Sequence, residues 1–318
     1  MSISVHSGRK EYEKLLAVKS LPYFYHPWWL DAAAAGNWQV RTVWSADKPL
    51  GFVVFAIKRH RWGTLLRKPV LTPHAGFQLF LEGLSPQKRL VTATTVLRAI
   101  DNSLPNYLHA RFTCAPGFVD GVNLQWLGYK QQVKYYNRMD LTKDLNTLSD
   151  NLSKSTRKQI KKGARWLEIR NDLDVESTYE LIRTAIHRRN ERFQISLAKY
   201  QYMMETLQSY SRVLGLGVFD EYQGCLGRTL VVVDNDWAYS IGLGASRGGT
   251  SDIAGKLLKW ESIKMAKSLG CNYYHFGGSM IPGVHEFNAG FGAEAVPYYE
   301  FTKYKNRLWQ ALDLLRKP

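Results

Sequence analysis

The sequence predicts an α/β protein with mixed α+β sheets, built as two similar domains in tandem. Three observations carry this. Past residue 170 the hydrophobic pattern reads as two helices, an antiparallel meander of three strands, a helix, a strand, a helix and a strand. The first 141 residues show a degraded version of that order: helices, strands, a helix, then strands. Between the halves, residues 142–156 (TKDLNTLSDNLSKST) are polar and interrupt the apolar periodicity. The expected domains are 1–148 and 149–318.

Taken in order, a first helix is expected over 9–19 and a second over 25–35 (YHPWWLDAAAA). Pro27 suits that second helix's first turn and Gly36 its stop. Strands follow over 39–44 and 50–58, joined by the turn ADKPLG, with another over 65–71. Residues 85–103 begin with Ser-Pro and carry Leu90, Thr94, Leu97 and Ile100 at helical spacing. Strands over 107–113 and 132–141 close this half. In the second half, Ser153 or Ser155 can cap a helix over 154–166, followed by helices over 175–193 and 197–209. The meander occupies 213–219, 224–233 and 236–243, with the hairpin turns DEYQG and DN. A helix over 253–269 ends at Gly270, and a short strand over 272–276 leads into HFGGSMIPGVHEFNAGFGAE. After Pro282-Gly283 a short helix begins near His285. A last strand (295–304) and helix (306–316) complete the chain. A strand, a crossover helix and a parallel strand place a helix N-terminus beside the edge of a sheet.

Composition sets bounds on function. The chain has 318 residues, 45% hydrophobic and 22% charged, enough for a well-buried core and for one large domain or two of about 150 residues. Its apolar runs stop well short of the roughly 20 residues that span a bilayer, and the N-terminus has no apolar signal region. Cys114, Cys225 and Cys271 are far apart and form neither a zinc pattern nor a disulfide framework. A cytoplasmic setting is expected, with the inner membrane face as a second place of action. The net charge of +16 calls for an anionic partner: a nucleotide, a phosphorylated carrier, RNA or an acidic membrane surface.

Several motifs suggest chemistry without fixing it. Residues 242–260 (GLGASRGGTSDIAGKLLKW) combine small residues with Arg247 at the start of a helix, where amides can face a pyrophosphate. Neither a G-x-G-x-x-G pattern nor a P-loop is present. Lys154, Lys158 and Lys162 repeat at i, i+4, with Arg157 and Lys161 beside them. Like charges at that spacing repel by a few tenths of a kcal/mol per pair, and an anionic ligand would offset the repulsion. His275 and His285 are ten apart without a carboxylate in ligand spacing, so no metal site is expected. A histidine there suits deprotonation of an amine. No nucleophile elbow or Ser-His-Asp order appears.

Three stretches together resemble the FemAB-like, or BioF2-like, branch of the GNAT acyltransferase superfamily. They are STRKQIKKGARWLEI (155–169), LLKWESIKMAKSLGCNYYHFGG (257–278) and GVHEFNAGFGAE (283–294), the last similar to the family's G-x-x-x-F-K-x-x-F-G signature. YHPWWLDAAAAG near the start is similar to the family's F-x-x-P-x-W-L opening. The resemblance implies two tandem GNAT-like domains, the first degenerate. It also implies transfer of an acyl or aminoacyl group to an amine of an anionic, phosphate-bearing envelope-polysaccharide or cell-wall precursor, or of a lipid-linked sugar. It implies no permanently bound cofactor, but acyl-CoA or aminoacyl-tRNA as co-substrate. On this reading Arg157, Lys158 and Lys161 hold phosphates, and Tyr239 and Phe287 contact substrate. Ile241, Gly242 and Leu243 pair with the donor's amide arm, and Arg247, Gly248 and Gly249 meet its pyrophosphate. His285 or Glu286 relays the proton and Asn288 polarises the carbonyl. Asn288 stands where the family signature has lysine, so a hydrogen bond replaces a charge. That departure keeps an acyl-CoA donor open beside FemX-type, aminoacyl-tRNA-dependent transfer. A catalytically inactive GNAT-like scaffold binding RNA or an acidic envelope component is the third reading.

Overall fold

The computed structural model describes residues 2–188, 191–246, 248, 250–278 and 280–315. In chain order it runs β1 (Ser4–His6), α1 (Arg9–Val18), α2 (Pro27–Ala34), β2 (Trp38–Ser45), β3 (Lys48–His60), β4 (Gly63–Arg67), β5 (Phe77–Leu79), α3 (Pro86–Ser103), β6 (His109–Thr113) and α4 (Gly121–Trp126). It continues through β7 (Lys130–Asp140), α5 (Leu145–Asp150), α6 (Lys154–Gly163), β8 (Glu168–Asn171), α7 (Val175–His187) and α8 (Leu197–Tyr210). The last elements are β9 (Arg212–Phe219), β10 (Cys225–Asp234), β11 (Trp237–Ala245), α9 (Ser251–Ser268), β12 (Tyr273–Gly278), α10 (Pro282–Ala289), β13 (Glu294–Tyr304) and α11 (Arg307–Leu315).

The chain forms two compact units, 1–134 with 297–318, and 135–296. The sequence places the division at 148/149 instead, and it does not foresee the return of the C-terminal segment to the first unit. In the first unit β1, β2, β3 and β4 are joined antiparallel, β4 and β6 are parallel, and β13 closes the sheet antiparallel to β6. The second unit repeats the plan. There β8, β9, β10 and β11 are antiparallel, β11 and β12 are parallel, and β7 closes the sheet antiparallel to β12. Each unit's closing strand is thus not the one that follows its parallel strand in sequence. An alternating apolar pattern states which face of a strand is buried, but not which strand it pairs with.

In the first unit α3 lays Ala93, Val96, Leu97 and Ile100 onto a core with Val53, Phe55, Phe77 and Phe112. In the second unit α9 lays Leu257, Leu258, Ile263 and Ala266 against Val218, Val231, Ala238 and Tyr274. Each such leucine or isoleucine contributes about 1.5–3 kcal/mol of burial. α6 packs on α9 through Thr156, Ile160 and Gly163, spaced i, i+4, i+7, and Ser153 caps it by accepting from the Thr156 amide at 3.2 Å. The stop of α2 differs from expectation. Ala35, at φ 49°, takes the left-handed position and accepts its strain, one residue before Gly36.

Candidate functional site

The site arises where β11 and β12 part. Their parallel ladder holds Trp237–Tyr239 against Tyr273–His275 and then stops. In the β10–β11 ladder Leu230 faces Gly242 and Val231 faces Ser240, which leaves Ile241 as the extra residue of a bulge. A bulge bends its strand and sharpens the local twist, which here turns β11 away from its parallel neighbour. The opening is a cavity of about 500 Å³, lined by Ser240–Leu243 of β11, Lys259 of α9, Phe276 of β12, and Ile281, Val284, Phe287 and Asn288 at α10. Gly242 and Gly244 have a packing reason. A Cβ at Gly242 would overlap the Ile182 side chain, and one at Gly244 the backbone of Leu181 and Ile182, so α7 sits directly on bare strand. Gly242 therefore serves both the cavity wall and the helix behind it.

Lys259 is the cavity's charged group. It is 3% exposed and points from α9 toward the sheet. Its Nζ donates to Ser240 Oγ at 2.7 Å and to Tyr274 Oη at 3.4 Å. It lies 5.3 Å from the centre of the Tyr274 ring and 5.5 Å from that of Phe276. Tyr274 is held in turn by Ser262 at 2.8 Å. No carboxylate pairs with Lys259 among the described residues, so burial alone acts on the amine and pushes its pKa down from 10.5 to about 7. The sequence reading passes over this residue. The signal was present: Lys259 stands in the apolar stripe of α9, four residues from both Gly255 and Ile263, where a simply solvated lysine has no place.

The predicted site residues separate into groups. Ile241, Gly242, Leu243, Phe287 and Asn288 are brought together on the cavity wall. Asn288 is buried, and its Nδ2 donates to Oδ1 of the fully buried Asn137 at 3.1 Å. His285 and Glu286 lie elsewhere. On α10 the cavity takes Val284, Phe287 and Asn288, while His285 and Glu286 face a second hollow of about 490 Å³ with Tyr135, Met280 and Ala295. Helical geometry sets this: at 100° per residue Val284, Phe287 and Asn288 share an arc of about 100°, and His285 and Glu286 fall on the remainder of the helix.

Tyr239 is also off the cavity. It is buried on the opposite face of β11, its ring 5.8 Å from Trp237 and 5.5 Å from His275. His275 stacks on Tyr136 at 4.2 Å, and its Nδ1 accepts from the Gly277 amide. Arg157 turns back on its own unit, donating to the Asp150 carbonyl at 2.8 Å at the end of α5. Lys158 and Lys161 are exposed on the outer side of α6. Gly248, at φ 131°, precedes α9. Arg247 and Gly249 lie outside the described residues. Among the described residues no group of three or more metal-ligating side chains occurs, and no helix is long and apolar enough to cross a membrane.

No family profile and no curated protein matches the sequence. Solved structures do match in fold. FemX aligns over 98% of this chain and 100% of its own, with a TM-score of 0.71 at 12% identity. A tandem GNAT protein from the clavulanic acid biosynthesis pathway aligns over 96% and 99%, with a TM-score of 0.58 at 11% identity. L-PGS from Bacillus licheniformis aligns over 97% and 95%, with a TM-score of 0.55 at 13% identity. The fold is that of the tandem GNAT proteins, as the FemAB-like resemblance implies.

Proposed function

We propose that the chain transfers an acyl or aminoacyl group from an activated donor to an amine, and that the transfer takes place in the second unit. The observation that carries this reading is the cavity at the parting of β11 and β12. One of its walls is strand backbone that the β11–β12 ladder leaves free, and its interior holds a buried amine and a buried amide. Free strand amides and carbonyls can take an extended donor arm as an added strand. An enclosed apolar site strengthens each polar contact to the carbonyl under attack. Positioning a neutral amine against an ester or thioester supplies most of what such a transfer needs. The likeness in fold to FemX, L-PGS and a tandem GNAT protein supports the same class.

The finer reading follows the charge. With a net charge of +16 and exposed Lys158 and Lys161 on α6, the partners are anionic: acyl-CoA or aminoacyl-tRNA as donor, and as acceptor an envelope-polysaccharide or cell-wall precursor, or a lipid-linked sugar. The enzyme then acts in the cytoplasm, in peripheral contact with the inner membrane surface. Calorimetry with acetyl-CoA, longer acyl-CoAs and aminoacylated bulk tRNA tests the donor. Either acyl-CoA binds and raises Tm, or charged tRNA binds with an affinity that falls steeply between 50 and 200 mM salt, as counterion release requires. Binding of neither donor at low salt removes the reading.

A further inference from the structure

The proposed transfer requires the attacking amine to lose a proton, and the two groups predicted for that task, His285 and Glu286, face the second hollow. Asn288 lines the right cavity, but an amide takes up no proton, and its Nδ2 gives one of its two hydrogens to Asn137. Lys259 lines the same wall as a titratable group. Among the described residues its surroundings offer an ammonium no counter-charge, only ring faces and hydroxyl oxygens set against the cost of burial. They comprise a serine hydroxyl, a tyrosine hydroxyl and two aromatic rings, with no carboxylate among the described residues. A neutral amine fits these contacts. It has two hydrogens, one for Ser240 Oγ and one for Tyr274 Oη, and one lone pair left over. A lysine kept in such a place costs stability that an apolar residue of the same length would not, which marks it as functional.

We propose that Lys259 is the proton acceptor for the amine that attacks in this cavity. The role rests on the transfer reading above. The acceptor nitrogen attacks the acyl carbon, a C–N bond forms, and the ester C–O or thioester C–S bond breaks. The proton leaving the nitrogen goes to Nζ of Lys259, and from there to the departing alkoxide or thiolate. The ammonium thus exists only while negative charge is present on the carbonyl oxygen or the leaving group. Ser240 and Tyr274 hold Nζ in place throughout. The positive charge that the family signature places at position 288 is supplied here transiently, from the neighbouring helix.

Two measurements on the full chain test this. Trace acetylation with acetic anhydride from pH 5 to 11, mapped by mass spectrometry, is expected to label Lys259 with a midpoint near pH 7. Exposed Lys158 serves as the internal control that the reagent has reacted. A Lys259 midpoint at the ordinary value, or no labelling of Lys259 while Lys158 reacts, overturns the proposal. Transfer from whichever donor binds is then followed against pH for wild type, Lys259→Met and Lys259→Arg. Wild type is expected to show a rising limb near pH 7. Both variants are expected to lose that limb and about 10²–10⁴-fold in kcat/KM, the usual share of a positioned base. A merely structural lysine would not move the limb. Transfer by folded Lys259→Met with the limb intact overturns the role of Lys259 and leaves the transfer reading standing. Absence of transfer by wild type overturns the transfer reading itself.

Discussion

The crossover helices of the two units, α3 and α9, are both 18 residues long and both lead into a parallel strand. Their ninth residues differ in kind. In α3 it is Thr94, whose hydroxyl accepts from Asn123 of α4 at 2.7 Å and donates to the Leu90 carbonyl. Nearby, Arg89 of α3 grips Asp120, the residue before α4, with two hydrogen bonds of 3.1 and 2.6 Å. In the first unit, side-chain bonds therefore tie the crossover helix to the short helix that follows the parallel strand. In α9 the ninth residue is Lys259, and between it and α10 lies the cavity. One chain plan is used twice, and in the second copy the place of Thr94 is taken by an amine that lines an opening.

The largest expected effect breaks the packing behind that opening. Gly244→Val would drive a side chain into the backbone of α7 and is expected to cost about 3 kcal/mol or more, read as a lowered urea midpoint. An unchanged midpoint would mean that α7 is not seated on bare strand.

Next comes the ninth residue itself. The Lys259 amine has its pKa depressed to about 7 in the fold, against 10.5 ordinarily. Between those values the unfolded chain binds the extra proton, so wild-type stability rises with pH across that window, and the penalty is complete below it. Lys259→Met is accordingly expected to be more stable than wild type at pH 6, on the order of 3 kcal/mol. The advantage shrinks as pH approaches 10. Urea unfolding at pH 6, 8 and 10 checks both sign and trend. A gap independent of pH would show that Lys259 is not held neutral.

The smallest effect comes from the matching position. Thr94→Val deprives the buried Asn123 amide of its better acceptor and is expected to destabilise by about 1 kcal/mol, equally at all three pH values. The same place in the two helices thus gives opposite signs. If the two substitutions shifted stability alike, the contrast between the units would fail.

Much of this was legible beforehand. Helical spacing in 253–269 and the turns DEYQG and DN gave the meander, the crossover helix and the parallel strand that frame the cavity. Ile241, Gly242, Leu243, Phe287 and Asn288, which the family resemblance singles out, line that cavity. His285 and Glu286 face away from that cavity for a reason in the sequence: at 100° per residue Val284, Phe287 and Asn288 share one arc of the helix, and His285 and Glu286 fall on the rest of its circumference. Tyr239 was lost to the bulge at Ile241 and to strand alternation, which put its ring on the other face. Lys259 was missed because a lysine in a run such as GKLLKW reads as a solvent-facing charge until its phase on the helix is counted. The short strands β1, β5 and β8, three or four residues each, carry too few residues for a period to register. The partnering of β7 and β13 depends on long-range pairing, which local pattern does not encode.

That partnering sets an order of events during synthesis. β6 ends at Thr113, but the strand that covers its open edge, β13, ends at Tyr304. At about 5–20 residues per second, the 191 residues between these ends take roughly 10–40 s to emerge from the ribosome. For that interval the N-terminal sheet has an unpaired edge that could template pairing with another nascent chain. By contrast β7, which covers the edge of β12, has already been made when β12 appears. The strand that covers β12 is thus waiting when β12 emerges, whereas β6 waits for its cover until β13 is made.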